Sequence, residues 1–208
     1  FVVMAMTQAL GVGAMSLIAQ AVGRKDPDDA NLVFNQAMAL GAMLAFATLA
    51  GGYLATSWYM NLVGADAATV AAGSAYLYWF LPGLALQYVN MVMMSGLRGT
   101  GVVQPTMVVQ IATVLLNAAL APVLIAGIGT DKPMGVAGAG LASTISVAAG
   151  TLMLAGYMLR LEKYVHFRMP LWKPRAAVWA RMINIGAPAG GEFLLMFVHM
   201  AVIYAVIS

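Results

Sequence analysis

The chain has 208 residues, of which 62% are hydrophobic and only 8% charged, with a formal net charge of +3. A soluble domain carries roughly a quarter charged residues, and so few charges cannot cover the surface of a compact soluble protein, which excludes that class. The absence of cysteine removes disulfide scaffolds, thiolate metal sites and cysteine nucleophiles.

Residues 1–23, 30–65, 67–97, 99–130 and 133–159 contain no Asp, Glu, Lys or Arg. Each stretch exceeds the ~18 apolar residues needed to cross a bilayer, so the sequence predicts an all-α integral membrane protein. Gly and Pro punctuation sets six spans in order. The first, about Phe1–Val22, ends at Gly23 and the polar run 24–29. The second, about Asn31–Leu62, closes at Gly64-Ala65-Asp66. The third, about Ala68–Leu97, ends at Arg98-Gly99-Thr100-Gly101. The fourth runs from about Pro105 to Ala126 and the fifth from about Val136 to Met158. The sixth begins near Ile183, with Glu192 as its only charge. The first run has no basic n-region or cleavage site and does not read as a signal peptide; the chain looks like part of a longer protein.

Basic residues set the orientation. Odd connections carry Arg24 and Lys25, then Arg98, then Arg160, Lys163, Arg168, Lys173, Arg175 and Arg181, whereas the even ones carry only Lys132. The positive-inside rule places the odd connections in the cytoplasm. Residues 163–182 mix these cations with Tyr164, Phe167, Trp172 and Trp179, and Pro170 and Pro174 interrupt any long helix. Aromatic bodies with cationic tips suit the headgroup layer, so this stretch reads as an interfacial cytoplasmic linker. A segment held between two spans is not expected to bind nucleic acid.

Three motifs are more specific than hydropathy: Gly11-x-Gly13 followed by Ala19-Gln20-Ala21-Val22-Gly23; Leu97-Arg98-Gly99-Thr100-Gly101-x-x-x-Pro105; and Leu124-Ile125-x-Gly127 followed by Gly135-Val136-x-Gly138-Ala139-Gly140-x-Ala142-Ser143-Thr144. In this order and spacing the chain resembles the multidrug and toxic compound extrusion (MATE) transporters. The resemblance implies a twelve-helix antiporter of two six-helix halves, exporting small, often cationic organic compounds as sodium ions or protons enter. It implies a monomer in the inner (plasma) membrane with no cofactor. On that pattern residues 1–162 form the amino-terminal half without its first helix, 163–182 the linker and 183–208 the first helix of the second half. Physically, Gly135, Gly138, Ala139 and Ala142 lie three and four apart and let a neighbouring helix approach.

Candidate site residues are the polar groups that hydrocarbon otherwise excludes. Glu192 is the only acid within a span, about 10 Å along its helix from Ile185 at 1.5 Å per residue. A charge that deep needs a polar cavity or a partner, and desolvation raises a carboxylate's proton affinity, as proton loading requires. The competing reading leaves Glu192 near the interface, paired with Arg181 or another cation. His199, two turns on, is either a proton relay or a neutral, hydrogen-bonded core histidine. The resemblance adds Asn117 and Ser143 as ion-site residues, although Ala121 stands where part of the family has a polar or acidic group; interhelical hydrogen bonding is the alternative. Pro122 removes a helical hydrogen bond nearby. Tyr76, Tyr78, Trp79, Phe80 and Tyr88 offer cation–π surfaces, and Tyr78, Gln87 and Tyr88 are expected to line a substrate cavity. No hydrolase set or metal cluster is present in the spans, so the chain does not read as an enzyme. Two other readings stay open: a flippase for lipid-linked or polysaccharide precursors, disfavoured by spans without Arg or Lys, and a structural membrane subunit.

Overall fold

A computed structural model describes residues 2–63, 66–128, 133–160 and 165–207. It contains six α-helices: α1 Val2–Gly23, α2 Pro27–Val63, α3 Ala67–Gly99, α4 Gln104–Ala126, α5 Val136–Leu159 and α6 Ala176–Ile207. The helices α1 to α5 are long and apolar enough to cross a membrane. The expected order of helices is observed, and a short 3-10 turn, Met169–Trp172, precedes α6. The one marked boundary difference is that α6 begins at Ala176 and not near Ile183, so Trp179 and Arg181 are helical. Lys163 and Tyr164 of the linker, and Lys132 between α4 and α5, lie outside the described residues.

Helix ends follow local chemistry. Asp26 caps α2 by accepting the Asp29 amide on Oδ1 at 3.0 Å, with Pro27 as first helical residue, where its missing N–H loses no bond. Asp66 caps α3 in the same way through Thr69 N at 2.7 Å, and these Thr69 hydrogen bonds hold its carboxyl below the usual aspartate range. Helix α3 ends in a paired turn, Val102 N to Leu97 O at 2.9 Å and Gly101 N to Arg98 O at 3.0 Å. That geometry needs a left-handed residue, and Gly101 supplies it at φ +83°. The same turn ends α1, but there Lys25 takes the left-handed position at φ 59°.

Contacts divide the chain into two compact units. The first contains Phe1–Gly41, Met91–Val103 and Met158–Ser208. Leu17, Ile18, Phe34, Val92, Leu97, Val165 and Met182 are fully buried in it. Helices α1 and α6 meet backbone to backbone. A Cβ on Gly13 would strike the Met182 carbonyl oxygen, one on Gly186 the Ala9 oxygen, and one on Gly190 would come within 2.9 Å of the Ala5 oxygen. Positions 13, 9 and 5 thus face 182, 186 and 190. Both series step by one helical turn in opposite directions, so the helices pack antiparallel along a stripe in which a glycine on one helix faces Met182, Ala9 or Ala5 on the other.

The second unit contains Ala42–Asn90 and Gln104–Tyr157. Here Gly140 approaches the Tyr76 carbonyl, Gly138 the Leu124 carbonyl and Gly83 the Thr144 backbone, so none has room for a Cβ. Thus the glycine-rich motif at the start of α5 serves close packing against α3 and α4. Helix α4 exposes Met107, Val108, Ile111, Val114 and Leu115, an apolar face suited to hydrocarbon.

Replacing Gly186 with Ala drives a methyl into a carbonyl oxygen that cannot rotate away, and is expected to cost about 1–3 kcal/mol. Gly191→Ala, whose Cβ meets nothing within 4 Å, is the control. Thermal melting of the detergent-solubilised protein should fall for the first and hold for the second; equal midpoints would show that the seam tolerates a side chain.

Candidate functional site

In the second unit, α4 and α5 bring Asn117 and Ser143 together. Asn117 Nδ2 donates to Ser143 Oγ at 3.2 Å, and Ser143 Oγ donates to the Ala139 carbonyl at 3.1 Å. Both residues are half-buried. The hydroxyl hydrogen is engaged one turn back on its own helix, so the serine oxygen has only lone pairs left for α4, which requires the Asn117 amine to face it. The Asn117 carbonyl oxygen then remains as an acceptor between apolar helices. The arrangement suits a cation, and contains no group that titrates near neutral pH.

A second polar feature lies in α3 around Pro82, a residue that sequence reasoning did not single out. Proline has no N–H for the carbonyl four residues back, Tyr78, and Tyr53 Oη donates to that oxygen at 3.1 Å instead. Next to it, Gly83 N donates to Thr144 Oγ1 at 3.0 Å, and the Thr144 hydroxyl passes its own hydrogen to Trp79 O. Side chains from α2 and α5 thereby serve the α3 backbone around Pro82. Such repair is what makes a proline tolerable at membrane depth.

The expected cavity residues differ in exposure. Tyr78 is 58% exposed and packs at a tilt against Tyr53 with ring centroids 5.2 Å apart. Gln87 is half-buried. Tyr88 has no exposed surface, and its hydroxyl accepts from Thr48 at 3.4 Å. Tyr76 stacks on Phe80 at 5.1 Å along one helix face.

In the first unit, Glu192 and His199 are both exposed on α6, seven residues apart. Arg181 reaches Asp29 at 3.5 Å, where Arg24 also binds at 2.7 Å. Among the described residues Glu192 joins no ion pair, so the reading that pairs it with Arg181 is not realised here. The Asp29 pairs are partly exposed and contribute modestly, typically about 1 kcal/mol or less each.

The most extensive polar structure in this unit was not foreseen. Asn31, Asn35 and Gln36 are buried near the start of α2 and grip the backbone of residues 166–175. Asn35 Nδ2 donates to His166 O at 2.9 Å, while Asn35 Oδ1 accepts Arg168 N at 2.8 Å and Trp172 Nε1 at 3.1 Å. Asn31 Oδ1 accepts His166 N at 3.0 Å. Gln36 donates to Leu171 O and Lys173 O and accepts Arg175 N at 2.9 Å. Phe167 packs on Phe34 with centroids 5.5 Å apart. A side-chain amide offers the same donor and acceptor as a peptide, so these residues act as a partner strand for a segment whose only regular structure is the short 3-10 turn. The sequence signal was three amides within six residues of a charge-free run.

Five helices long and apolar enough to cross a membrane, packed along glycine seams, define a polytopic helical membrane protein. The profile of the family described as MatE matches residues 1–123, and the chain belongs to that family. It is 27% identical over 203 residues to the FAD transporter of Shewanella oneidensis, covering 96% of this chain and 45% of the relative. It is 26% identical over 195 residues to the multidrug export protein MepA of Staphylococcus aureus, covering 94% and 42%. The fold is similar to the crystal structure of MATE in complex with MaL6, with a TM-score of 0.90, 25% identity, and coverage of 99% of this chain and 45% of that one. The chain therefore spans less than half the length of the proteins it matches.

Asn35→Ala strips partners from the Arg168 amide, the His166 carbonyl and the Trp172 indole, at about 1–3 kcal/mol for each group left buried and unpaired. The expected outcome is a lower melting temperature together with faster tryptic cleavage after Arg168, read by mass spectrometry. Unaltered cleavage would show that the strap is held by something other than the amides.

Proposed function

We propose that this chain is the amino-terminal portion of an ion-coupled antiporter that exports small, often cationic organic compounds by alternating access in the inner (plasma) membrane. On this reading residues 1–162 belong to one half of the transporter, 163–182 include the cytoplasmic linker and 183–208 open the second half, with the complete protein acting as a monomer. The observation that carries the transport reading is the MatE match over residues 1–123, supported by a relative named as a multidrug export protein.

Ion coupling rests on two chemically different groups. Asn117 and Ser143 place neutral oxygens between α4 and α5, suited to a sodium ion, which prefers oxygen ligands. Glu192, exposed on α6 and outside any ion pair among the described residues, is the proposed proton-coupling residue, with His199 as the proposed relay. Either ion drives export only by binding the two orientations of the transporter unequally. Tyr78, Gln87 and Tyr88 are the proposed cavity residues, and the exposed Tyr78 ring is the one best placed to stack on a cation.

A second reading is favoured by the FAD transporter among the relatives. FAD carries phosphates, as does the lipid-linked cargo of a flippase, and such cargo calls for basic residues in the cavity. The cationic reading is preferred because the apolar stretches of α1 to α5 contain no Lys or Arg ahead of Arg98 in the last turn of α3.

Full-length protein in everted vesicles tests the proposal with an organic-cation dye and, separately, FAD as cargo. Glu192→Gln is expected to abolish proton-driven export and Asn117→Ala to weaken sodium-driven export by about tenfold, the factor that 1.4 kcal/mol of lost ion binding gives. Both proteins should fold normally. Unchanged dye export in both variants would remove the two assignments, and FAD export without dye export would favour the second reading.

A further inference from the structure

Independently of which ion or cargo is transported, we propose that the first unit binds the headgroup of a zwitterionic phospholipid, phosphatidylethanolamine, between the start of α2 and the linker. A cavity of about 370 Å³ opens there. Asp26, Asp28 and Leu32 line it from α2 and its cap, and Arg168, Leu171 and Arg175 line it from the linker. All six belong to the first unit.

Charges of both signs border this space without neutralising one another. Asp29, at the same cavity, is already taken by Arg24 at 2.7 Å and Arg181 at 3.5 Å. Arg168, Arg175, Asp26 and Asp28 join no ion pair among the described residues. Asp26 lends Oδ1 to the α2 cap, whereas the Asp28 carboxylate makes no hydrogen bond among the described residues. Two cations and two carboxylates kept apart across one gap are completed by a ligand that carries both charges itself.

The amide clasp sets the cationic side. Asn35 Oδ1 accepts Arg168 N at 2.8 Å, and Gln36 Oε1 accepts Arg175 N at 2.9 Å. Both arginines are thus fixed through their main chain, while their side chains stay exposed. Guanidinium groups match phosphate oxygens in geometry as well as charge. The carboxylates then select what the phosphate carries. A primary ammonium has three N–H donors for them. Choline has none and is received by aromatic rings, which the lining lacks among the described residues. A purely anionic headgroup satisfies the arginines but leaves the two carboxylates opposed to it.

Position decides the source of the headgroup. The positive-inside orientation places the connection between α1 and α2 and the linker at the cytoplasmic face, where basic pockets meet phospholipid headgroups. Leu32 and Leu171 give the cavity an apolar wall. Met169, in the same 3-10 turn as Leu171, is 76% exposed, and an acyl chain is the natural cover for such a side chain.

The test is native mass spectrometry of the detergent-purified full-length protein. The probes are phosphatidylethanolamine, phosphatidylcholine and phosphatidylglycerol of one acyl composition, and free O-phosphoethanolamine. The wild type is expected to retain phosphatidylethanolamine about tenfold better than the other two lipids and to bind the free headgroup far more weakly. Arg168→Gln combined with Arg175→Gln leaves the backbone clasp in place and should lower that retention about tenfold. Lys173→Gln, at an exposed linker cation outside the lining, should not. Asp28→Asn should erase the preference for phosphatidylethanolamine over phosphatidylglycerol. Melting curves establish that each variant is folded. Undiminished retention in the folded double variant overturns the site, as does an unchanged preference in Asp28→Asn. A wild type that favours phosphatidylglycerol, or treats the three lipids alike, overturns recognition of a zwitterion. Free O-phosphoethanolamine bound as tightly as the lipid overturns the membrane source.

Discussion

Hydrocarbon offers no hydrogen bonds, so each polar group carried into it must find a partner within the protein. That constraint organises the polar interior. Thr7, Thr56, Thr113, Ser143, Ser146 and Thr151 all donate to the carbonyl four residues back. The hydroxyl hydrogen is thereby hidden against its own helix, while the oxygen keeps lone pairs for a neighbour. Where the backbone itself is short of a donor, as at Pro82, the remedy comes from Tyr53 and Thr144. Apolar side chains favour the membrane but say little about which helices are neighbours. Amides, hydroxyls and glycines do where they meet a definite atom of another helix, as at Asn117, Thr144 and Gly186.

Legibility in the sequence follows the same division. Helix number, order and approximate ends were readable, since charge-free length and Gly or Pro punctuation are local properties. The start of α6 was placed too late because Trp179 and Arg181 looked interfacial, whereas Ala176 and Ala177 directly after Pro174 and Arg175 are good helix starters, and Val178 and Trp179 both donate to Arg175 O. The family resemblance nominated Asn117 and Ser143, and the structure sets them 3.2 Å apart. The amide clasp was invisible for a physical reason. Asn35 and Gln36 bind backbone atoms at sequence separations of 131 to 139 residues, and a main-chain partner leaves no trace in residue type. A tyrosine's letter likewise does not tell whether its ring is packed out of solvent, as Tyr88 is in this unit, or open, as Tyr78 is.

The two sets of candidate coupling groups differ in kind as well as place. The pair between α4 and α5 offers neutral amide and hydroxyl oxygens, whereas α6 offers an exposed carboxylate, Glu192. The linker chemistry is separate from both. Its basic side chains Arg168, Lys173 and Arg175 stay exposed while its backbone is gripped from the other side by α2. The expected interfacial linker is therefore held through its backbone from His166 to Arg175.

The glycine-lined stripe between α1 and α6 has a mechanical implication. Helices that interlock through large side chains must lift knobs out of holes before they can shift, and that friction holds them in register. At Gly13, Gly186 and Gly190 backbone rests on backbone, so adhesion is close but the surfaces are smooth. Without large side chains interlocked at these glycines, little there resists a small slide of one rod along the other, which is the geometry of a bearing more than of a weld.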